Sequence, residues 1–455
     1  MHGPRFAASL LALGLGLSPI LAAQNPAPVE SAELGQTRNV HRAGQLWFSG
    51  QFGAKDLEAF QANGIERVIS ARGEGEIDWD EASALQEAGV EFIRFPVTSP
   101  DSLNAETFGR IRDVLQNLNG PTLFHCGSAN RVGACWVPYR VLDEGVPVET
   151  ALEEAKTIGL RSEMLRKRAI DYVAGERARR AREEGVEDSV KEGINRPFKD
   201  PNLVPEEFLE AFEGESREVF AQRSALVGAC GIESGMTVAD IGAGTGLFTF
   251  PFAERTGPDG FVYAVDIAPA FVARIVHQAR SQEIRHIGGV VCVEDSVGLA
   301  PGSVDLAYVC DTYHHFEFPQ TTLASIRRAL RPGGRLVIVD FERIPGVSRD
   351  WVLRHVRCGK EIVRSEVEAA GFEFSREISI DGIRENFVLE FRAPAASVET
   401  AGGAPLARSG RNSTQRATTP SCTTVTPEPT ASASARSSTS MKAGTSTRAG
   451  RPASP

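Results

Sequence analysis

At 455 residues the chain exceeds what one hydrophobic core supports, so two or three domains are expected. A net charge of −10 excludes a general nucleic-acid binder, because neutralising phosphates takes clustered Lys and Arg. A hydrophobic fraction of 42% is ordinary for a globular protein, and the seven cysteines (126, 135, 230, 292, 310, 358, 422) show neither paired metal spacing nor a disulfide framework.

The first element is an amino-terminal segment. Arg5 precedes an uncharged stretch, ASLLALGLGLSPILAA, which runs to Ala23 and gives way to polar QNPAPVE. A basic start, an apolar run and small residues before a polar break read as a secretory signal over residues 1–23, and hence as a periplasmic or secreted protein. The alternative is an uncleaved anchor, which Pro19 and several glycines argue against. No other segment is apolar enough to span a membrane, so no stable span is expected after signal removal.

Residues 36–174 read as a separate α/β unit. WFSGQ, RVISARG and EFIRFPV are short strands, separated by helical AKDLEAFQANG and DEASALQEAG, each stopping at glycine. After the helical stretch AETFGRIRDVLQNLNG comes PTLFHCGSANRVGACW: a strand, His125-Cys126, a small-residue loop, Arg131 and a helix. At a helix amino terminus the aligned N–H dipoles and a nearby guanidinium both favour thiolate over thiol. The same groups cradle an anion. Cys126 is therefore a candidate nucleophile and Arg131 a candidate oxyanion binder. The competing reading is a buried cysteine ending a strand, with Arg131 on the surface.

From WFSGQ through HCGSANRVGA to YRVLDEGVPVETALEEAKTIGL, this unit resembles the beta-lactamase-hydrolase-like phosphatases, a branch near the dual-specificity protein phosphatases. The resemblance implies a general acid, for which Asp101 in VTSPDSLN is the candidate; the other role for an Asp there is a helix cap. Tyrosine phosphatases place five residues between Cys and Arg, whereas only Gly127, Ser128, Ala129 and Asn130 intervene here. Rhodanese-type sulfurtransferases also have a six-residue Cys-to-Arg loop, so phosphatase and sulfur-transfer chemistry both stay open.

Residues 175–205 are charge-rich and read as a solvated helix followed by an extended linker. Acidic residues follow RARRAR at once, which disfavours a nucleic-acid patch. Residues 393–455 turn to Ser, Thr, Ala, Pro and Arg and are expected to be disordered, with a chance glycosylation triplet at Asn412-Ser413-Thr414.

Between linker and tail, residues 206–392 carry VADIGAGTGL, with Asp240 ending an apolar run before Gly242, Gly244 and Gly246. Glycine alone admits both the backbone conformations and the close ligand approach such a turn requires. Three more apolar runs end in Asp266, Asp295 and Asp311, and LRPGGRLVIVDF adds a Pro-Gly-Gly turn and a fifth strand. Ligand groups at strand carboxyl ends, alternating with helices, describe an open, mostly parallel α/β sheet. This segment resembles the class I S-adenosylmethionine (AdoMet)-dependent methyltransferases. Nicotinamide dehydrogenases favour a Gly-x-Gly-x-x-Gly spacing, and here position 247 is Leu. The resemblance implies a Rossmann-like domain with a seven-stranded sheet. In it Asp240, Gly242, Gly244 and Gly246 surround the methionine part of AdoMet, Asp266 takes the ribose and Asp295 the adenine amino group. Asp311, Tyr313 and His314 would flank the methyl group, as acceptor-deprotonating groups or as wall packing. WVLRHVRCGKE (His355, Arg357, Lys360) is either a basic face for an anionic acceptor or a solvated helix face. His314 and His315 have no third ligand at helical spacing, so no metal site is expected.

The function expected is methylation of an unspecified small molecule, with the phosphatase-like domain attached. The competing expectation is an exported sensor, anion-binding or sulfurtransferase module built on the Cys126 loop, since AdoMet is a cytosolic metabolite.

Overall fold

The computed structural model describes residues 27–214 and 217–395. The signal segment, the tail from residue 396, Cys422 and the Asn412 triplet lie outside the described residues. Two sheets organise the rest. The first holds β1 (Glu30–Ser31), β2 (His41–Ala43), β3 (Leu46–Ser49), β4 (Arg67–Ser70), β5 (Glu91–Arg94) and β6 (Thr122–His125), in the order β1-β2-β3-β6-β4-β5. Strands β3, β6, β4 and β5 are mutually parallel, and β2 and β1 add an antiparallel edge. All four residues of β6 are buried, as a central parallel strand requires. The helix Ala105–Gln116 that feeds β6 begins where the Asn104 side chain accepts from Thr107 N–H, and it buries Phe108, Ile111 and Leu115, all on one helical face.

The second sheet holds β7 (Thr237–Ile241), β8 (Phe261–Asp266), β9 (Ile287–Val291), β10 (Val304–Cys310), β11 (Leu330–Phe341), β12 (Glu373–Glu377) and β13 (Asn386–Arg392). Their order is β12-β13-β11-β10-β7-β8-β9, and only β13 runs against its neighbours. This is the mostly parallel seven-stranded sheet expected. Chain order reverses between β7 and β10, opening a crevice beyond their carboxyl ends where open α/β sheets bind ligands. The Pro-Gly-Gly turn is absorbed into β11: pairing with β10 slips between Val304 and Leu306, and Gly333 takes the left-handed conformation.

Residues 175–205 are a mostly solvent-facing helix end to Glu183 followed by irregular chain, as expected, but the segment is also tied to the second sheet's helices. The helix Glu163–Glu183 packs between the helices Asn130–Leu142 and Lys360–Ala369, burying Val173, Ala174 and Ala178. Its Asp171 accepts from Ser365 Oγ at 2.7 Å, and Arg177 lies 4.0 Å from Glu366. Beyond it, Glu187 accepts from the N–H groups of Gln320 and Thr321, both at 2.8 Å. Ala178 extends the buried stripe into the charge-rich sequence; Arg177 and Glu187 meet partners beside the second sheet, while Arg179 and Arg180 pair with acids of the same segment. Both sheets consequently belong to one compact unit with a continuous hydrophobic core. Among the described residues no helix is long and apolar enough to cross a membrane.

Candidate functional site

The carboxyl ends of β7, β8 and β10 bring three carboxylates together around the glycine turn. Asp240 is buried and accepts from Thr249 Oγ at 2.5 Å; burial, with Asp266 nearby, raises its pKa to about 7. Gly242, Gly244 and Gly246 all sit at positive φ (73°, 53° and 98°). A Cβ at Gly242 would collide with the Thr312 side chain, and one at Gly244 would lie 3.3 Å from the Phe212 ring. Asp266 is also buried. Its two oxygens accept from the N–H groups of Gly244 and Ala268, each at 2.8 Å, and burial raises its pKa to about 6. A carboxylate accepts about four hydrogen bonds, so lone pairs remain for two ribose hydroxyls. Asp295 stands exposed in the turn after β9, with the backbone at Cys292 tied to Asp266 C=O at 3.0 Å.

Aromatic rings cover this crevice. Phe198, Phe208, Phe212 and Phe271 stack edge to edge, with neighbouring centroids 5.4–6.4 Å apart. The sequence gives no periodic signal for this cover, because Phe198, Phe208 and Phe212 come from irregular structure and two short turns of helix.

The residues expected beside the methyl group are distributed unevenly. Asp311 takes a left-handed φ of 48°, which turns its side chain inward. It pairs with Arg217 and accepts from Asn386 Nδ2 at 2.6 Å, and burial raises its pKa to about 6. Tyr313 is fully buried with its hydroxyl donating to Glu366 at 2.8 Å, and burial pushes the phenol well above its usual range. Such a phenol is a poor base; the geometry favours wall packing for Tyr313. His314 is buried, and its Nδ1 and backbone N–H meet the Asp340 carboxylate at 2.8 and 2.9 Å.

The WVLRHVRCGKE segment is not one basic face. Arg357 is buried and clamps Glu366 through both terminal nitrogens, at 3.0 and 2.7 Å. Lys360 pairs with Glu342 and Glu377, each at 2.8 Å. The helix Asp350–His355 ends between these residues and His355, which is why they diverge. His355 instead joins His314 and His315, one potential ligand nitrogen from each lying within 4.8 Å of the others. Helical spacing could not reveal this third histidine, because it arrives 40 residues later on another element.

In the first sheet, β6 delivers His125 and Cys126 between β3 and β4. The Cys126 thiol is 1% exposed, and its N–H donates to Ser49 C=O at 3.3 Å. Ala129 adopts a left-handed φ of 62° and opens the helix Asn130–Leu142, whose first N–H groups have no intrahelical partner. Arg131 does not lie on the surface away from the loop. It donates to the carbonyls of Ala71 (3.0 Å) and Val97 (2.7 Å) and to Glu76 (3.0 and 2.7 Å). The Arg131 bond holds Glu76 down at about 2, so its carboxylate is charged at neutral pH. His125 is buried with Nε2 3.1 Å from buried Glu81. Asp101 is 81% exposed on the surface and pairs with Arg168 rather than with the loop.

Residues 239–338 match the family described as "Methyltransferase domain". The chain is 28% identical over 149 residues to the ubiquinone/menaquinone biosynthesis C-methyltransferase of Bordetella avium, covering 32% of this chain and 58% of that protein. It is 30% identical over 166 residues to the nocamycin O-methyltransferase of Saccharothrix syringae, covering 36% and 56%. The chain thus spans somewhat over half the length of these relatives. A solved methyltransferase from Aquifex aeolicus aligns over 42% of this chain and 100% of its own, at 21% identity and a TM-score of 0.38. Residues 239–338, which carry the glycine turn and the strand-end carboxylates, thus match a methyltransferase domain, and the similarity to these relatives supports the class I, AdoMet-dependent kind.

Proposed function

We propose that the protein methylates a small molecule using AdoMet. Asp240, Gly242, Gly244 and Gly246 hold the methionine part, Asp266 the ribose and Asp295 the adenine amino group. The observation that carries this reading is Asp266. Its carboxylate, at the end of β8 next to β7, is fixed by Gly244 and Ala268 N–H beside the glycine turn. Bound AdoMet supplies a sulfonium methyl for in-line displacement, so positioning accounts for much of the rate. The Phe198–Phe271 rings exclude water from the crevice, and Asp311, held by Arg217 and Asn386, lines its floor. Calorimetry with AdoMet and S-adenosylhomocysteine tests the assignment, and absence of binding by either ligand overturns it.

A second reading concerns residues 36–174, as a cysteine-phosphatase-like unit acting on an anionic substrate. The Cys126–Arg131 strand–loop–helix supports it: a thiol at the loop start, orphan helix N–H groups, and a guanidinium fixed by two carbonyls. Asp101 contributes little to this reading in its surface pairing with Arg168. Turnover of aryl phosphate or thiosulfate that vanishes in Cys126→Ser supports it, and no turnover of either leaves the loop as structure. Export through residues 1–23 completes the proposal, and an amino-terminal reporter fusion tests it.

A further inference from the structure

We propose that His314, His315 and His355 bind one zinc ion. Its fourth position is left open to a hydroxyl or thiol of the methyl acceptor. The ion site stands on geometry alone, and only the identity of its fourth ligand rests on the methyl-transfer reading.

Two observations carry the site. The first is spacing. His315 Nε2 and His355 Nε2 are 3.3 Å apart, and the third histidine offers a nitrogen within 4.8 Å of both. Tetrahedral zinc with Zn–N bonds of about 2.0–2.1 Å separates its ligand nitrogens by about 3.3–3.4 Å. One pair therefore already has the ligand spacing, and a side-chain rotation brings in the third. The second is orientation. Asp340 holds His314 through Nδ1 at 2.8 Å and also binds its backbone N–H at 2.9 Å. A carboxylate on the far nitrogen is the usual support for a metal-bound imidazole, because it fixes the tautomer that presents the Nε2 lone pair. His314 Nε2 makes no hydrogen bond among the described residues.

A hydrogen-bonded histidine cluster without metal is the competing explanation. It accounts for the 3.3 Å contact as one N–H···N bond, but not for the carboxylate behind His314 or the convergence of all three rings. Lys191, hydrogen-bonded to the Arg354 and His355 carbonyls, opposes a cation here. The carboxylates of Asp340 and Asp311 offset it. Three imidazoles and no oxygen donor favour zinc over magnesium or calcium. His355 stacks on Trp351, which is 45% exposed, so the cluster opens toward solvent on that side. A hydroxyl or thiol binding at the open position would release its proton to solvent and be held as alkoxide or thiolate.

The test uses the full chain without a histidine tag. Cobalt(II) is titrated in as a spectroscopic probe, zinc content is measured by elemental analysis, and AdoMet binding is measured on the same samples. The expected result is one metal per chain, an intense tetrahedral cobalt band, and a band shift on adding mercaptoethanol. H315Q and H355Q should each weaken cobalt binding at least tenfold with AdoMet affinity unchanged, and H277Q, on an exposed helix position, should bind as wild type. No stoichiometric metal, or undiminished binding in the H315Q/H355Q double variant, overturns the site. An unmoved cobalt band overturns the open position. Metal binding without AdoMet binding sinks the methyl-transfer reading instead, so the two failures are distinguishable.

Discussion

Replacing Asp266 tests the cofactor site most directly, because the structure separates its effect on folding from its effect on binding. Asp266→Ala removes an acceptor from two ribose hydroxyls and also frees the N–H groups of Gly244 and Ala268. Hydrogen bonds to a charged group contribute roughly 1.5–3 kcal/mol each, and orphaned donors cost a similar amount. Wild type, however, already carries an opposing penalty. Burial raises the Asp266 pKa to about 6, so ionising it in the folded state is unfavourable. The substitution removes that penalty, which offsets part of the loss from the two N–H groups. Ligand affinity has no such compensation and should fall by about 2–3 kcal/mol, roughly 30- to 150-fold. Asp266→Asn keeps one acceptor oxygen and should fall between the two. Calorimetry with AdoMet and S-adenosylhomocysteine, beside a thermal melt, reads both effects. Unchanged affinity in a variant that still melts cooperatively would refute the ribose assignment.

The pH dependence follows from the same carboxyls. Folded pKa values raised to about 6 and 7 mean that Asp266 and Asp240 contribute stability below pH ~4 that is lost as pH rises through 6–7. Cationic AdoMet favours their ionised forms, so its affinity should fall as pH drops from 8 to 5; a flat calorimetric profile excludes the coupling. Tyr313→Phe leaves Glu366 clamped by Arg357, so it should cost about 1 kcal/mol and spare methyl transfer, whereas Glu366→Ala strands buried Arg357 and should cost about 3–5 kcal/mol in a denaturant melt. A large activity loss in Tyr313→Phe at unchanged stability would restore Tyr313 as the proton acceptor. A fragment of residues 206–392 lacks the helix Glu163–Glu183 and exposes the apolar face of Lys360–Ala369; it should melt without cooperativity, while a fragment from residue 163 regains it. Equal melts for both fragments would show that this helix contributes nothing to the second sheet. Glu76→Gln should strengthen phosphate or thiosulfate binding at the Cys126 loop several-fold by releasing Arg131, and no change by calorimetry means Arg131 is purely structural.

What the sequence revealed was what short-range patterns encode. The glycine turn, the apolar runs ending in Asp240, Asp266 and Asp311, and the His125–Arg131 loop each lie within one strand–turn–helix step, where spacing alone places a side chain at a strand end. Gaps arose where the partner is far along the chain. The charge-rich 175–205 segment hides its ties to the second sheet because Arg177 and Glu187 find Glu366, Gln320 and Thr321 only in three dimensions. The choice between base and wall packing for Tyr313 is open in the sequence because Glu366, which takes its hydroxyl, lies 53 positions later.

The histidines show the same limit with a functional consequence. His314 and His315 are adjacent, so their side chains cannot share one helical face, and local spacing argues against a metal. The short helical turn after β10 nonetheless aims both into the space that His355 enters from the helix Asp350–His355. Asp340, at the end of the neighbouring strand β11, supports His314 from behind. Strand-end positions on a parallel sheet bring together residues remote in sequence at one edge. The geometry that gathers Asp240, Asp266 and Asp311 at the ends of β7, β8 and β10 therefore also gathers the imidazoles beside them. A metal at that edge and a methyl donor in the crevice would share one wall, the Asp311–His315 segment, which places an acceptor bound to the first within reach of the second.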